Sequence, residues 1–489
     1  MLVVVGIAFG LGTRLWTLRT PFLGGYFDSD EAVPGLMARH LLHGEWSTFY
    51  WGQAYGGTAE VALVSVLFWI VGSGVLALRL VPIALYGLGT LLVWRLARRT
   101  IGEPGATVAA ILFWISPAYL VFRSTREYGY QGVLVVLGIA ILLFTLRLAE
   151  APTRQNAAGL GLAVGLAWWT SIQSVLLALP ALVWLACRQR RVWRLSWLIG
   201  LAAFVGAFPW LAWNLRNHWG SLHVSSTEPS MNYAFRLGGF FADGLPMSLG
   251  FRVPFLQDWL PSPTAGKIGF VVVGAALAAI LLRRFRSLEL VAAVVLPYPF
   301  LYALSSFTAN RLEPRYLLLL APLLALLLGE LLADLRAATV GLVIAATLSL
   351  VALVRVADNA AVVAAPPRLG PLLHTLEREH VTRAWADYWI AFRVTFLTHE
   401  RIIVAPTYGD RYPHYRQLVE DSSPSAWIFV ARTSRFSSAM NSETPKRARL
   451  LHAGFTRIHT GEFILYVPPS PGGDFRVAGA GRGSEASAR

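Results

Sequence analysis

The sequence predicts an α-helical polytopic membrane protein with about eleven spans, followed by a small C-terminal α/β domain. Apolar residues make up 55% of the 489 residues, charged residues only 14%, and the mean hydropathy is +0.54. Apolar runs long enough to cross about 30 Å of hydrocarbon recur as far as about residue 356. A soluble protein of this length would carry more charge, so the bilayer is the solvent in which the chain folds.

The basic residues orient helices rather than bind nucleic acid. The formal net charge is +15, but most of the arginines lie in short clusters beside apolar runs, where they set the orientation of membrane helices. Nucleic-acid binding is excluded on this ground. The single cysteine, Cys187, cannot form an intramolecular disulfide.

The runs and the basic clusters together predict the topology. Arginine clusters occupy alternate short loops, which the positive-inside rule places in the cytoplasm. The N-terminus is then cytoplasmic, the first run is an uncleaved span, and the chain after about residue 357 is exoplasmic. The residues 157–187 add a hairpin of two short helices. The predicted spans are about 1–18, 76–96, 105–122, 131–147, 195–215, 266–282, 288–305, 315–333 and 338–356.

One short run decides the extent of the first outer loop. The apolar stretch 59–71 is too short to span comfortably, and counting it as a span would reverse the sidedness of the basic cluster that follows. It is therefore predicted to lie in the outer interface, which makes 19–75 one long exoplasmic loop. This loop belongs to a transmembrane domain over 1–356.

Three further segments complete the domain organisation. A second exoplasmic loop over 216–265, rich in Pro, Gly and aromatic residues, favours irregular structure. The residues 357–469 alternate helix-like segments with strand-like runs at 401–405, 426–430 and 463–467, which predicts a small exoplasmic α/β domain with a mostly parallel sheet. The residues 470–489 are rich in Gly, Ser, Ala and Arg and are predicted to be disordered.

The first outer loop carries an acidic cluster, Asp28, Asp30 and Glu31. Three carboxylates within four positions repel one another and raise at least one pKa, unless cations or hydrogen bonds compensate; such a cluster suits a general base or a metal site. The alternative is a solvated charged turn in which Asp30 caps a helix.

The second half of the same loop contains residue types that are typical of a binding pocket. Tyr50-Trp-Gly-Gln-Ala-Tyr-Gly-Gly57 combines stacking surface, amides and a permissive backbone, as sugar or amphiphile sites do. An aromatic belt at the membrane interface is the alternative. Gln53, Tyr55 and Glu60 are the candidate substrate-binding residues here.

Other outer loops contain arginines against the positive-inside trend. Bidentate phosphate binding is one reason for such arginines; pairing with a neighbouring glutamate is the other. The candidate substrate-binding residues in these loops are Arg123, Arg126, Glu127, Tyr128, Arg311, Glu313, Arg315 and Tyr316.

No cofactor is expected to be required. Asp28 and Asp30 form an acid-x-acid pair that could hold a divalent ion, and this metal site remains the less favoured alternative. His40 and His43 lie three residues apart without a third ligand in the sequence, so ordinary polar roles are favoured over zinc binding.

Short motifs over about residues 1–356 resemble a known family, the polyprenyl-phosphate-sugar-dependent glycosyltransferases of the C-type membrane fold. This group contains the protein O-mannosyltransferases, of glycosyltransferase family 39, and the lipid A aminoarabinose transferase. The motifs are Asp30-Glu-Ala32, Ala38-Arg-His40, Gly44-Glu45, Arg79-Leu-Val-Pro82 and Glu313-Pro-Arg-Tyr316.

The resemblance implies transfer of a sugar, normally with inversion, from a polyprenyl-phosphate carrier to a glycan, lipid or protein acceptor at the outer face of the cytoplasmic membrane. Asp30 would be the base, with Asp28 or Glu31 orienting it. The chain departs from its relatives where the Tyr50–Gly57 stretch replaces a Lys-Pro-Pro-like segment, which leaves the donor open.

A transporter or flippase for a lipid-linked saccharide is the alternative function. Ionisable residues or broken helices within the spans, and two related halves, would favour it.

Overall fold

The computed structural model describes residues 1–20, 26–224, 231–309, 311–359, 367–432 and 441–469. The chain divides into two compact units, Met1–Pro366 and Pro367–Arg489. The predicted tail 470–489 lies outside the described residues, and so does most of the stretch between the last predicted span and the C-terminal unit.

Among the described residues of the first unit, the named elements are all helices, and two isolated β-bridges join Phe49 to Gly57 and Arg252 to Trp259. Single 3₁₀ turns and one π-helical turn (Phe240–Gly244) connect some of the helices. The α-helices are α1 (Leu2–Arg19), α2 (Ser29–Leu42), α3 (Ala59–Val71), α4 (Val75–Thr100), α5 (Gly105–Ile115), α6 (Ala118–Arg123), α7 (Gln131–Glu150), α8 (Arg154–Thr170), α9 (Val175–Arg188), α10 (Ser196–Arg216), α11 (Tyr233–Gly239), α12 (Leu245–Ser248), α13 (Pro263–Arg283), α14 (Glu289–Val295), α15 (Tyr298–Leu304), α16 (Ala321–Leu331) and α17 (Leu335–Asp358).

Six helical segments among the described residues are long and apolar enough to cross a membrane. They are α1, α4, α7, α13, α17 and the segment Arg190–Arg216, which contains α10. The chain is therefore an integral membrane protein with several spans, as predicted. The number eleven stays a prediction.

Prolines explain why three predicted spans are interrupted. The run 105–122 breaks at Pro117, between α5 and α6, and the run 288–305 breaks at Pro297, between α14 and α15. The run 315–333 begins as a 3₁₀ turn and becomes α-helical with Pro322 in the first turn of α16. Proline lacks the N–H that an unbroken helix needs, and a hydropathy average does not register this loss.

Small residues bring the helices of the core together. The backbones of α5 and α16 meet at Gly105 and Gly329, where a Cβ on Gly329 would lie 2.5 Å from the Gly105 carbonyl oxygen. The helices α8 and α10 meet in the same way, since a Cβ on Gly165 would lie 2.1 Å from the Ala203 oxygen. Within a bilayer the hydrophobic effect does not bring helices together, so van der Waals contact at small residues stabilises their packing.

The first predicted outer loop contains two helices, α2 and α3, joined by a turn-rich segment. The short run 59–71 forms α3 with the predicted bounds. The second loop is more helical than predicted: α11, the π-helical turn and α12 follow one another over 233–248. Glu228, in the same loop, lies outside the described residues.

The C-terminal unit is the predicted small α/β domain, with α18 (Gly370–Arg378), α19 (Tyr388–Leu397), α20 (Pro413–Glu420) and α21 (Arg447–His452) around five strands. The strands are β1 (Arg383–Ala386), β2 (Ile403–Pro406), β3 (Ala426–Val430), β4 (Thr456–Thr460) and β5 (Phe463–Val467), in the order β2-β1-β3-β5-β4.

The sheet is mixed rather than mostly parallel. Strand β1 pairs in parallel with β2 (Arg383 with Ile403) and with β3 (Ala384 with Ala426), whereas β5 is antiparallel to β3 and β4. The last two strands form a hairpin that turns at Gly461, which has a φ of 57°. Strands β1 and β4 were not predicted, because neither is a continuous apolar run.

Candidate active site

Asp28 begins the helix that carries the acidic cluster. Its Oδ1 accepts a hydrogen bond from the Glu31 backbone N at 2.9 Å, so Asp28, not Asp30, is the N-cap of α2. Its Oδ2 accepts hydrogen bonds from Arg126 Nη1 at 3.1 Å and from the Tyr128 hydroxyl at 2.9 Å. Burial raises the pKa of Asp28 to about 6, although the Arg126 charge opposes this rise.

Glu31 is fully buried between two arginines. Arg79 binds it bidentately, with Nε 2.8 Å from Oε1 and Nη2 2.5 Å from Oε2, and Arg126 Nη1 lies 2.8 Å from Oε2. Burial opposes ionisation, but the two guanidinium groups outweigh it and hold the pKa of Glu31 below its ordinary range. Glu31 is thus a buried carboxylate whose charge is compensated within the protein.

Asp30 differs from its two neighbours in exposure. Asp28 is 7% exposed and Glu31 is 0% exposed, whereas Asp30 is only partly buried. Of these three acids, Asp30 is the most exposed.

The residues 124–130, between α6 and α7, form the second wall of the site; we name this segment the 124–130 loop. It carries Arg126 and Tyr128, which both contact Asp28. Its first residue, Ser124, accepts a hydrogen bond from Arg14 Nε at 2.9 Å. Arg14 is 1% exposed and lies 3.5 Å above the Trp114 ring, so a buried arginine in α1 anchors the loop.

Glu60 and Glu127 are brought together, at 1% and 0% exposure. Glu60 Oε2 accepts a hydrogen bond from the Val133 backbone N at 3.0 Å, and Glu127 Oε1 accepts one from the Gly129 backbone N at 2.8 Å. The two carboxyl groups are close enough for each to shift the pKa of the other. Their predicted role in substrate binding stays a prediction.

A cavity of about 260 Å³ lies beside the 124–130 loop. It contains three of the predicted substrate-binding residues: Tyr55, Arg315 and Tyr316. Gln53, on the same turn as Tyr55, is not among the lining residues. The cavity is lined by Phe49, Ala54, Tyr55, Gly56, Tyr130, Gln131, Trp168, Trp169, Ser171, Ile172, Gln173, Trp210, Ser221, Leu222, Val224, Ser305, Phe307, Arg315 and Tyr316.

Arg315 is ion-paired with Glu313, as the alternative interpretation of the outer arginines expected. Glu313 also accepts a hydrogen bond from the Tyr119 hydroxyl at 2.6 Å. The Nε of Arg315 is buried and has no hydrogen-bond partner among the described residues. A buried N–H without a partner is uncommon, and here it belongs to a cation in a cavity wall.

Arg123 and Arg311 have different surroundings. Arg123 donates from Nε to Gln131 Oε1 at 2.7 Å and lies 4.2 Å from the centre of the Tyr128 ring, so it joins the 124–130 loop to the cavity wall. Arg311 is ion-paired with Asp243 of the second loop, which also pairs with Arg252. The structure does not bring Arg311 to the acidic cluster.

The described residues contain no group of three or more His, Cys, Asp and Glu side chains able to hold a metal ion. Asp28 pairs with Arg126. His40 is hydrogen-bonded to Glu45 at 2.6 Å, and His43 to the Arg39 carbonyl at 2.9 Å. Independence from cofactors stays a prediction.

Some residues of the site were not predicted. Arg79 entered only as part of a short motif, although a charged residue within an apolar helix is a signal of function. Trp168, Trp169 and Trp210 line the cavity, but in the sequence they are indistinguishable from residues of an interfacial aromatic belt. Trp51 is buried against His40, at 4.9 Å between ring centroids.

The chain is similar in sequence to one protein family and in structure to several solved proteins. Residues 61–213 match the family model of dolichyl-phosphate-mannose-protein mannosyltransferase. A search of curated proteins finds no match. The structure of ArnT from Cupriavidus metallidurans in the apo state aligns over 95% of this chain and 97% of its own, at a TM-score of 0.64 and 13% identity.

This chain has the C-type membrane glycosyltransferase fold. ArnT bound to undecaprenyl phosphate aligns equally well, over 96% of this chain and 98% of its own, at a TM-score of 0.63 and 14% identity. The apo oligosaccharyltransferase of Archaeoglobus fulgidus is less similar, at a TM-score of 0.47 and 12% identity over 88% and 69% of the two chains. The predicted C-type fold is confirmed, and the family match supports the predicted enzyme class.

Proposed function

We propose that this C-type chain is an inverting glycosyltransferase that moves a sugar from a polyprenyl-phosphate carrier to a hydroxyl of a glycan, lipid or protein. The match to the mannosyltransferase model supports the enzyme class. The likeness of the fold to an ArnT crystallised with undecaprenyl phosphate supports a donor of that chemistry. The outer face of the cytoplasmic membrane is the proposed place of reaction, on the sidedness of the basic clusters.

The different burial of three adjacent acids carries the assignment of the base. Asp28 and Glu31 are buried and ion-paired with arginines, while Asp30 on the same helix turn is partly exposed. In this proposal Asp30 removes the proton of the acceptor hydroxyl as the hydroxyl attacks the anomeric carbon and the bond from that carbon to the phosphate oxygen breaks. The phosphate leaves with the electron pair, so cations must stabilise it.

Arg315 is the proposed phosphate ligand. Its buried Nε has no hydrogen-bond partner within the described part of the chain, and its side chain lines the cavity beside Tyr316. The aromatic walls of this cavity offer stacking surface for a sugar ring. Glu313 holds the guanidinium in place. In this proposal an arginine, not a metal ion, is the cation at the phosphate.

Asp30→Asn tests the base. A strain lacking the protein should accumulate one lipid-linked sugar and lose one surface glycan, and the wild-type gene should reverse both. Asp30→Asn should reverse neither, because a positioned base contributes about 10² to 10⁴ in rate. Mass spectrometry of the lipid and glycan fractions measures both changes.

The matched control is Asp258→Asn, an exposed acid of the second loop. It should restore the glycan at an equal level of protein in the membrane. Restoration by Asp30→Asn would remove Asp30 from the mechanism.

A further inference from the structure

Glu60 and Glu127 form an acid pair for which the proposed reaction has no use. Both are almost completely buried, and their carboxyl groups are close enough for each to shift the pKa of the other. Two ionised carboxylates have only acceptor atoms, so a hydrogen bond between them requires that one of them carries a proton.

The surroundings assign the proton to Glu127. Burial raises the pKa of Glu60 to about 7. The backbone N–H groups of Gly132 and Val133, at the N-terminus of α7, both donate to Glu60 and oppose this rise, because they favour its charged form. Glu127 accepts a hydrogen bond from Gly129 N with Oε1, and no donor of the described residues reaches its buried Oε2. Burial and the nearby Glu60 charge raise the pKa of Glu127 well above its ordinary value.

No cation neutralises the pair directly. Among the described residues, no Arg or Lys is ion-paired with Glu60 or Glu127, and Arg123 acts on Glu60 only from a distance, with its Nε bonded to Gln131. The other titratable groups that interact with the pair are an acid and two phenols, which disfavour a second negative charge: Glu31, Tyr50 and Tyr86.

We propose that Glu127 is a neutral carboxylic acid that donates its proton to the Glu60 carboxylate, and that this hydrogen bond positions the 124–130 loop over Asp28. Glu127 lies between Arg126 and Tyr128, the two residues that reach Asp28 at 3.1 and 2.9 Å. Its own backbone N faces Glu31 at 3.4 Å. The pair therefore fixes the loop at its middle, as Arg14 fixes its first residue.

Gly129 and Tyr50 add to the fixation of the loop. Gly129 has a φ of 87°, and a Cβ there would lie 1.3 Å from the Tyr50 hydroxyl oxygen. The backbone therefore turns sharply just after Glu127, and Tyr50 packs against this turn. Both features hold the carboxyl of Glu127 close to Glu60.

The positioning role of the Glu60–Glu127 pair rests on the proposed function, because the pair acts on the acidic cluster of the proposed active site. The protonation of Glu127 does not depend on the proposed function, so a separate experiment tests it.

Infrared spectroscopy of the purified full-length protein tests the proton. Near neutral pH the wild type should show the carbonyl band of a protonated carboxylic acid, which loses intensity in Glu127→Gln and is unchanged in Asp258→Asn. An unchanged band in Glu127→Gln would overturn the protonation, whether or not the protein transfers a sugar.

An asymmetry between two substitutions tests the positioning. Glu127→Gln keeps an uncharged donor toward Glu60, so transfer from the lipid-linked sugar of the deletion strain should stay within about threefold of wild type. Glu60→Gln replaces one carboxylate oxygen with an NH₂ group, which cannot accept a hydrogen bond from the backbone N–H groups that face Glu60. We therefore expect kcat to fall by at least about tenfold, with little change in KM for the lipid-linked sugar.

The same assay separates positioning from direct contact with the substrate. Equal increases of KM in the two variants, at unchanged kcat, would mean that both acids touch the donor and would overturn the positioning role. The wild-type alkaline loss of activity, which arises when Glu127 ionises, should be absent in Glu127→Gln; an identical pH profile would also count against the proposal.

Discussion

At the scale of single residues, buried ion pairs give three adjacent acids different roles. A carboxylate left unpaired in a buried site costs several kcal/mol, so Asp28 and Glu31 depend on Arg126 and Arg79. Three carboxylates this close together repel one another, and the two arginines compensate two of these charges. Asp30 stays partly exposed, and in the proposed mechanism this exposure gives it access to the acceptor.

Asp28 should contribute to the acid limb of the pH profile, together with Glu60, whose pKa burial raises to about 7. Since burial raises its pKa to about 6, Asp28 is ionised above that pH and becomes protonated below it. A protonated Asp28 loses the charge that holds Arg126 and Tyr128, so transfer should fall as the pH drops through about 6. The rate of transfer as a function of pH measures this limb.

Tyr128→Phe should move that limb to higher pH. The variant removes a hydroxyl that donates to the Asp28 carboxylate, and loss of this bond favours the protonated form. Tyr233→Phe, an exposed tyrosine of the second loop, is the control and should leave the limb in place. A limb that stays unchanged in Tyr128→Phe would mean that another group produces it.

Arg315→Ala should weaken binding of undecaprenyl phosphate. A hydrogen bond to a charged group contributes about 1.5 to 3 kcal/mol, so the expected loss is roughly 10- to 150-fold in Kd. Titration of the purified protein with undecaprenyl phosphate measures it. The exposed Arg336→Ala is the control, and an unchanged Kd in Arg315→Ala would remove this residue from the phosphate site.

At the scale of elements, the contact between α8 and α10 shapes the cavity. Trp168 and Trp169 end α8, and Trp210 lies in α10; all three line the cavity. The two helices touch through Gly165 and Ala203, so their separation sets the position of the tryptophans. Substrate binding should therefore depend on glycines that do not contact the substrate.

Gly165→Val should lower both thermal stability and binding of undecaprenyl phosphate. Its Cβ would collide with the Ala203 carbonyl, and overpacking costs about 1 to 3 kcal/mol. Thermal unfolding and ligand titration measure the two effects. Gly200→Val on α10 is a matched control, because no atom lies within 4 Å of a Cβ there; equal effects of both variants would refute the packing argument.

At the scale of the whole molecule, the sidedness remains a proposal. It rests on arginine clusters in alternate loops, which are an averaged signal along the chain. The natural cysteine offers a direct test, since Cys187 is exposed and lies beside the basic residues that the scheme places in the cytoplasm.

A membrane-impermeant maleimide should leave Cys187 unmodified in right-side-out vesicles and modify it after permeabilisation. In a Cys187→Ser background, Ser422→Cys on the exposed surface of the C-terminal unit should be modified without permeabilisation. Mass spectrometry of the protein reads out both. Labelling of Cys187 in sealed vesicles would reverse the orientation.

The sequence by itself determined the membrane class, the acidic cluster and the small α/β unit. These features follow from local signals, such as the length of apolar runs, the spacing of charges and the alternation of helix-like and strand-like segments. The same signals did not reveal β1 and β4, and they read three proline-broken segments as continuous spans. A local average cannot resolve either feature.

The tertiary structure decided which acid meets which cation. Glu31 pairs with Arg79, 48 positions away, and with Arg126, 95 positions away, and Glu127 meets Glu60 rather than the adjacent Arg126. Burial selects these partners, because a charge removed from water needs a compensating group in contact with it. The sequence places the acids on one outer loop; only the packing of α2, α4 and the 124–130 loop separates a reachable Asp30 from its buried neighbours.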